Sequence, residues 1–178
     1  GMTARGISHW FRAANRAGRV LVAPEGLSRF YQGRRGMRTV GASWMTSDDR
    51  LHEIDDQVDY LDRVAERWLA GRERIEVHGV SQGTATACRW AVRAPVPIDR
   101  LVCWGSPTPP DLPVEQLIDL VDGGCELLLA IGTDDALVPP ERVEADAERL
   151  GAAGVVLTLH HFKGGHEIDA TLLSQLAG

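Results

Sequence analysis

Ser81 lies in a five-residue pattern that can present a serine hydroxyl as a nucleophile. Residues 79–83 read Gly-Val-Ser-Gln-Gly and stand between an apolar run and a helical pattern, which fits the strand–turn–helix setting of G-x-S-x-G. That turn strains the backbone at the serine, so the residues two before and two after it must be small, as Gly79 and Gly83 are. The alternative is a glycine-rich turn that carries an incidental serine.

A serine hydroxyl attacks a carbonyl only when a base removes its proton, so a histidine is required. The histidines that follow Ser81 are His160, His161 and His166. His160 and His161 end an apolar run, whereas His166 lies in a glycine-containing loop beyond it, from which an imidazole can swing over Ser81. We predict His166 as the base, with His161 as the alternative. A zinc site of these histidines is a further interpretation, but it lacks a well-spaced third ligand.

The base in turn needs a carboxylate that orients its ring. Enzymes with this type of nucleophile turn carry the residues in the chain order Ser, acid, His. The acid is therefore expected between Ser81 and His166, directly after a strand. Asp134 and Asp135 follow the apolar run at 126–131. Spacing does not distinguish two adjacent aspartates, and the other one would be a loop or capping carboxylate.

Short apolar runs alternate with longer helical patterns along the chain. We predict strands at residues 20–23, 75–78, 101–104, 126–131 and 154–159. We predict helices at residues 47–70 and 82–93, after Pro139 and from about Glu167, and a loop over residues 25–46. Continuous apolar strands separated by helices indicate a parallel sheet covered on both faces. The carboxyl ends of parallel strands meet at one edge, and every candidate catalytic residue lies at such an end.

The composition is that of an ordinary globular protein, and 178 residues predict a single domain over 1–178. The formal net charge of −6 argues against a nucleic acid or an anionic membrane as the partner. The sequence shows neither a membrane span nor a secretory leader, so we expect a cytoplasmic protein without stable membrane insertion. Cys88, Cys103 and Cys125 fit neither a disulfide framework nor a zinc motif and are interpreted as buried thiols.

Taken together, these segments resemble the phospholipase/carboxylesterase family of α/β-hydrolases, which includes acyl-protein thioesterase-like enzymes. The matching segments are residues 79–83, 132–139 and 164–167, with further likeness at 22–24 and 43–44. The resemblance therefore covers nearly the whole chain. The family pattern G-x-x-D-x-x-V-P places the acid on Asp135, and the Gly-Gly-His-Glu match places the base on His166.

The resemblance implies a three-layer α/β/α sandwich with a mostly parallel sheet, the α/β-hydrolase fold. It also implies a serine hydrolase that cleaves carboxylic ester or thioester bonds of small acyl substrates. The catalytic residues would be Ser81, Asp135 and His166, acting through an acyl-enzyme intermediate without a metal or another cofactor. The backbone amide of Gln82 would donate to the oxyanion. Family members are often dimers, so a homodimer is expected.

One family feature is missing from the sequence. Relatives carry an interior strand that ends in His-Gly upstream of the first helix, and the residue after this motif supplies the second oxyanion amide. No His-Gly occurs before position 78. We therefore expect a fold that lacks its N-terminal strands. Either the sequence is truncated, or the sheet is completed differently, for example by a partner chain. The alternative function is a catalytically impaired or non-catalytic α/β-hydrolase-like module.

Large apolar side chains near the predicted strand ends are candidates for a substrate pocket. These are Trp44, Met45, Trp104 and Leu137. An apolar wall would favour acyl chains or small aromatic esters. The alternative for each of them is an ordinary core residue.

Overall fold

The computed structural model describes residues 1–34 and 37–177, and the chain divides into two compact units. One unit comprises Gly1–Val64 together with the segment from Ile168 onward, and the other comprises Ala65–Glu167. In chain order, the helices are α1 (Ala4–Trp10), α2 (Arg50–Trp68), α3 (Gln82–Ala91), α4 (Val114–Asp122), α5 (Pro140–Ala152) and α6 (Ala170–Leu176). The strands are β1 (Ser28–Gln32), β2 (Thr39–Ser43), β3 (Glu76–Val80), β4 (Arg100–Trp104), β5 (Glu126–Gly132) and β6 (Leu157–Phe162).

The second unit is built on a four-stranded parallel sheet whose strand order, β3-β4-β5-β6, is also the chain order. Each of the strands β3, β4 and β5 is followed by a helix that leads to the next strand. Such crossovers are almost always right-handed, which puts α3, α4 and α5 on one face. The helix α3 packs on β3 and β4, and α5 packs on β5 and β6. The carboxyl ends of all four strands consequently lie along one edge of the sheet.

The two central strands of this sheet are buried on both faces. Residues 101–104 of β4 and 129–131 of β5 are all 0% exposed. Successive side chains of a strand point to opposite faces, so an unbroken buried run requires cover on both sides. The fold class predicted from the sequence, a mostly parallel sheet flanked by helices, is therefore confirmed.

The first unit contains an antiparallel hairpin in a region that was predicted to be a loop. β1 pairs with β2 from Ser28 opposite Ser43 to Gln32 opposite Thr39. A 3₁₀ helix at Phe11–Ala14 contacts α6. The side chain of Asp169 caps α6 by accepting a hydrogen bond from the Leu172 amide at 2.6 Å. This cap explains why α6 begins later than the predicted start near Glu167.

The structure corrects two of the predicted strands. Residues 20–23 form no strand, and Val20 and Leu21 are 55% and 49% exposed. No strand of the described chain pairs with this segment, and β-branched residues form a strand only where a neighbour completes the hydrogen bonds. The last strand begins at Leu157 instead of Gly154 because the turn after α5 includes Gly154, where the Val155 amide donates to Leu150 O at 3.0 Å. The helix α4 was not predicted.

Candidate active site

Ser81 lies in the turn between β3 and α3, at the carboxyl edge of the sheet. Its backbone angles are φ 54° and ψ −122°, a conformation that stores strain in any residue other than glycine. The Ser81 amide donates to Trp104 O at 2.9 Å, and the Thr84 amide donates to Ser81 O at 2.9 Å. The first bond continues the β3–β4 pairing by one residue. The serine is thus held at the tip of its strand, as the turn predicted from G-x-S-x-G requires.

Gly79 allows α3 to pass close behind this turn. A Cβ atom built on Gly79 would lie 2.5 Å from Thr84 Cα and 2.7 Å from Gly83 O, closer than non-bonded atoms approach. The Thr84 hydroxyl also donates to Gly79 O at 3.2 Å. The position two residues before the serine therefore has no room for a side chain, which agrees with the steric requirement inferred from the sequence.

Gln82 is the first residue of α3 and directly follows the nucleophile turn. Amides in the first turn of a helix point out of its N-terminus, at the positive end of the helix dipole. An anion that forms on a group attacked by Ser81 would meet this end of α3. The donation of a hydrogen bond by Gln82 to an oxyanion stays a prediction.

Asp135 and His166 form a hydrogen-bonded pair between the loops after β5 and β6. The His166 Nδ1 atom lies 2.7 Å from Asp135 Oδ2. The other carboxylate oxygen, Oδ1, accepts hydrogen bonds from the amides of Leu137 and Val138, both at 2.9 Å. The Asp135 side chain is 0% exposed, and that of His166 is 17% exposed. The carboxylate is therefore held rigidly and in turn orients the imidazole.

The environment of Asp135 favours its ionised form. Burial is the largest single influence and raises the pKa of this carboxyl group, but three hydrogen bonds and the electrostatic attraction of His166 together outweigh it. The hydrogen bonds come from the Val138 amide, the His166 ring and the Leu137 amide, and the pKa of Asp135 is lowered from its ordinary value of 3.8. At neutral pH Asp135 is consequently a carboxylate, which can accept a hydrogen bond from Nδ1–H of His166.

Acid is expected to destabilise the fold through Asp135. Because the native pKa of Asp135 lies below its ordinary value of 3.8, ionisation of this group stabilises the native state. The contribution is complete above the ordinary value and is lost as the pH falls through the lower native pKa. Urea unfolding midpoints measured from about pH 6 to about pH 2 should therefore fall further for the wild type than for Asp135→Asn. Parallel curves for the two proteins would contradict this assignment.

Asp134 lies outward, on the opposite side of the same loop. Its carboxylate pairs with Lys163 at 2.7 Å and its side chain is 54% exposed. The Asp134 amide donates to Gly164 O at 2.9 Å, which ties the loop after β5 to the loop after β6. Of the two adjacent aspartates, Asp135 alone is bonded to His166, in agreement with the family pattern. The alternative base, His161, is bonded instead to Glu144 of α5 at 2.8 Å.

Gly105 belongs to a loop that the sequence placed at a strand's carboxyl edge, bordering the site, but to which it assigned no role. It directly follows β4, and a Cβ atom built on it would lie 3.1 Å from His166 Nδ1 and 3.5 Å from Asp135 Oδ2. The preceding residue, Trp104, accepts the hydrogen bond from the Ser81 amide. The segment Trp104-Gly105 therefore joins the nucleophile turn to the acid–base pair. A glycine directly after the carboxyl end of a strand was the sign available in the sequence.

Trp104 and Leu137, two of the predicted pocket residues, lie in the sheet unit. Trp104 is 0% exposed, its ring is stacked 6.3 Å from that of His78, and its indole N–H donates to His78 Nδ1 at 3.1 Å. It is a core residue, which was the alternative interpretation. Leu137 is 73% exposed, and its amide bonds to Asp135.

Trp44 and Met45, the other two predicted pocket residues, lie in the first unit and are both partly exposed. The Trp44 ring lies 6.4 Å from that of Tyr60, and Trp44 O accepts a hydrogen bond from Gln57 Nε2 at 2.6 Å. The role of these two residues in a substrate pocket stays a prediction.

The histidines and cysteines of the chain do not gather into a metal cluster. Within residues 1–34 and 37–177, no group of three or more His, Cys, Asp or Glu side chains is placed to hold a metal ion. The three cysteines are free and buried, as predicted, with the Sγ atoms of Cys88 and Cys103 3.6 Å apart. Among the helices of the described chain, none combines the length and the apolar character needed to cross a bilayer.

Several solved structures share this architecture. SOBER1 of Arabidopsis thaliana matches with a TM-score of 0.70 and 17% identity, over 99% of this chain and 91% of that one. A carboxylesterase of Bacillus cereus matches with a TM-score of 0.56 and 19% identity, over 75% of this chain and 61% of that one. Acyl-protein thioesterase 2 of Zea mays matches with a TM-score of 0.54 and 17% identity, over 79% and 75%. The chain has the α/β-hydrolase fold.

In this α/β-hydrolase fold, Ser81, Asp135 and His166 follow β3, β5 and β6 in turn. That is the usual chain order of nucleophile, acid and base for the fold. At identities of 17–19%, the similarity to these structures establishes the fold and not the activity. No protein-family model and no curated protein matches the sequence.

Proposed function

We propose that this α/β-hydrolase chain is a serine hydrolase that cleaves carboxylic ester or thioester bonds. The observation that carries the proposal is the 2.7 Å hydrogen bond between His166 and a buried Asp135. This pair lies at the same sheet edge as Ser81, which occupies a strained turn at the start of a helix. An oriented imidazole, a carboxylate behind it and a partly exposed serine at the tip of a strand are the parts that acyl transfer needs.

In the proposed reaction, Ser81 Oγ attacks the carbonyl carbon while His166 Nε2 takes the hydroxyl proton. Asp135 holds the ring with Nδ1–H directed at Oδ2 and stabilises the imidazolium that forms. The amide of Gln82 stabilises the tetrahedral oxyanion. The intermediate then collapses, and the alcohol or thiol leaves with the proton carried by His166. Water, activated by the same histidine, releases the acid from Ser81. No cofactor takes part.

The names of the similar structures support an acyl substrate. Those structures include an acyl-protein thioesterase and a carboxylesterase, and both names denote hydrolysis at an acyl carbon. We therefore propose a small acyl ester or thioester as the substrate, in line with the phospholipase/carboxylesterase resemblance. The expectations of a cytoplasmic location and of a homodimer stay predictions.

The proposal is tested by incubating the folded protein with a fluorophosphonate probe, followed by digestion and mass spectrometry of the peptide that contains Ser81. We expect the probe on Ser81, together with turnover of p-nitrophenyl acetate and of a short-chain acyl thioester. Labelling that requires native protein and disappears in urea would support an assembled site. A folded protein that leaves the probe untouched would favour the non-catalytic α/β-hydrolase-like module.

A further inference from the structure

Gly105 directly follows β4, and its backbone lies beside the pair formed by His166 and Asp135. The residue is buried and has φ +62°, in the left-handed region. A Cβ atom at this position would lie 3.1 Å from His166 Nδ1, 3.2 Å from His166 Cε1 and 3.5 Å from Asp135 Oδ2. The first two distances are shorter than ordinary Cβ contacts. Either the backbone at position 105 or the His166 ring would therefore have to shift by a few tenths of an ångström.

The backbone around Gly105 is anchored on both sides. The Gly105 amide donates to Ala130 O of β5 at 2.8 Å, and the preceding Trp104 O accepts from the Ser81 amide at 2.9 Å. Further along the loop, Asp146 Oδ2 of α5 accepts hydrogen bonds from the Thr108 amide at 2.7 Å and from its hydroxyl at 2.8 Å. Asp146 is itself only 8% exposed. The loop after β4 therefore resists being pushed away from His166.

The His166 imidazole is held less firmly than the backbone around Gly105. Its own fixed contact is the hydrogen bond to Asp135, whose other oxygen is held by two backbone amides. The ring retains some contact with solvent, with the His166 side chain 17% exposed. A side chain at position 105 would consequently move the ring outward and leave the sheet edge in place.

We propose that Gly105 is a positioning residue for the general base: the absence of a side chain there lets the His166 ring pack against the backbone directly after β4. This inference rests on the proposed hydrolase function, because a base needs this alignment only if Ser81 is the nucleophile. Gly105 itself touches neither the substrate nor the reacting atoms. Its effect passes through the position of the imidazole relative to Ser81.

Gly71 provides a matched control for the backbone strain that any substitution of Gly105 introduces. It lies in the turn after α2 with φ +73°, and a Cβ atom built on it meets nothing within 4 Å. Gly71→Ala therefore imposes the strain of a left-handed alanine without a new contact. Gly105→Ala also places an alanine in the left-handed region, at φ +62°, and adds the contact to His166.

The first measurement compares the hydrolysis of p-nitrophenyl acetate by the wild type, Gly71→Ala and Gly105→Ala. We expect kcat to fall about 10-fold in Gly105→Ala with KM unchanged. Displacing the base by less than 1 Å reduces the stabilisation of the transition state and leaves ground-state binding intact. Gly71→Ala should keep the kcat of the wild type. Equal kcat values for the two variants would overturn the inference.

A second measurement tests the contact without relying on activity. In urea unfolding, Gly105→Ala should lose more stability than Gly71→Ala, and this extra loss should vanish in a His166→Ala background, where the ring is absent. An extra loss that persists without the ring would show that Gly105 does not act on His166. If the wild type neither hydrolyses esters nor reacts with the probe, the proposed function fails. The double-mutant cycle of urea unfolding then decides by itself whether Gly105 positions the His166 ring.

Discussion

Ser81→Ala is expected to remove ester hydrolysis and fluorophosphonate labelling together. Without the hydroxyl, the His166–Asp135 pair has no nucleophile to activate, and kcat should fall on the order of 10⁴-fold or more. The variant should still fold, because the bonds of Ser81 that hold the turn, to Trp104 and Thr84, are made by its backbone. Steady-state kinetics with p-nitrophenyl acetate and intact-protein mass spectrometry after probe treatment provide the two measurements.

Two further serine variants sharpen this test. Ser106→Ala removes a hydroxyl in the loop after β4, where the Ser106 side chain bonds only weakly to Pro107 O at 3.4 Å, and it should leave labelling intact. Ser81→Gly should be as inactive as Ser81→Ala yet more stable by about 1 kcal/mol, since glycine accepts φ 54° without strain. Labelling that survives in Ser81→Ala would mean that the probe finds a different nucleophile, and the proposed mechanism would be wrong.

Asp135→Asn is expected to lower kcat by about 10⁴-fold while preserving the fold. The asparagine can still offer its carbonyl oxygen to the amides of Leu137 and Val138, which now bond to Oδ1 of the aspartate. Its amide group would then face His166 Nδ1 and donate to it. The imidazole would carry its proton on Nε2, the tautomer that cannot accept the Ser81 proton. Probe-labelling rates and circular dichroism measure the two effects separately.

The neighbouring variant Asp134→Asn is the matched control for this substitution. It removes only an exposed ion pair with Lys163, which contributes about 0–1 kcal/mol to stability, so activity should stay close to that of the wild type. If instead Asp134→Asn lost its hydrolytic activity and Asp135→Asn kept it, the role of the acid would be assigned to Asp134.

The strained turn at Ser81 could be predicted from the sequence because its constraints are local. A strained serine, the lack of space at Gly79 and the start of α3 all fall within a few residues. The choice between Asp134 and Asp135 was not available from spacing alone, since both leave the same strand. It required either a family pattern or the structure, in which the Asp135 side chain is buried against His166 and that of Asp134 lies outside.

The features that escaped prediction depend on distant parts of the chain. Residues 20–23 have strand composition but no pairing partner among the described strands, and β1 pairs with β2 in a glycine- and arginine-rich stretch that resembled a loop. The contact between Gly105 and His166 is visible only in the folded chain, because the two residues lie far apart in the sequence and follow strands that β5 separates. Pairing and steric contact of this kind are properties of the fold and leave little trace in local composition.

Strand order and chain order coincide in the β3–β6 sheet, which has a consequence for synthesis on the ribosome. Each strand that emerges finds its neighbour already made, so the sheet can grow in the direction of translation. Ser81 would leave the ribosome first, Asp135 would follow with β5, and His166 would arrive only after β6. In a nascent chain, Ser81 would therefore lack His166 until β6 has joined the sheet, and the proposed hydrolase activity would be expected only after that point.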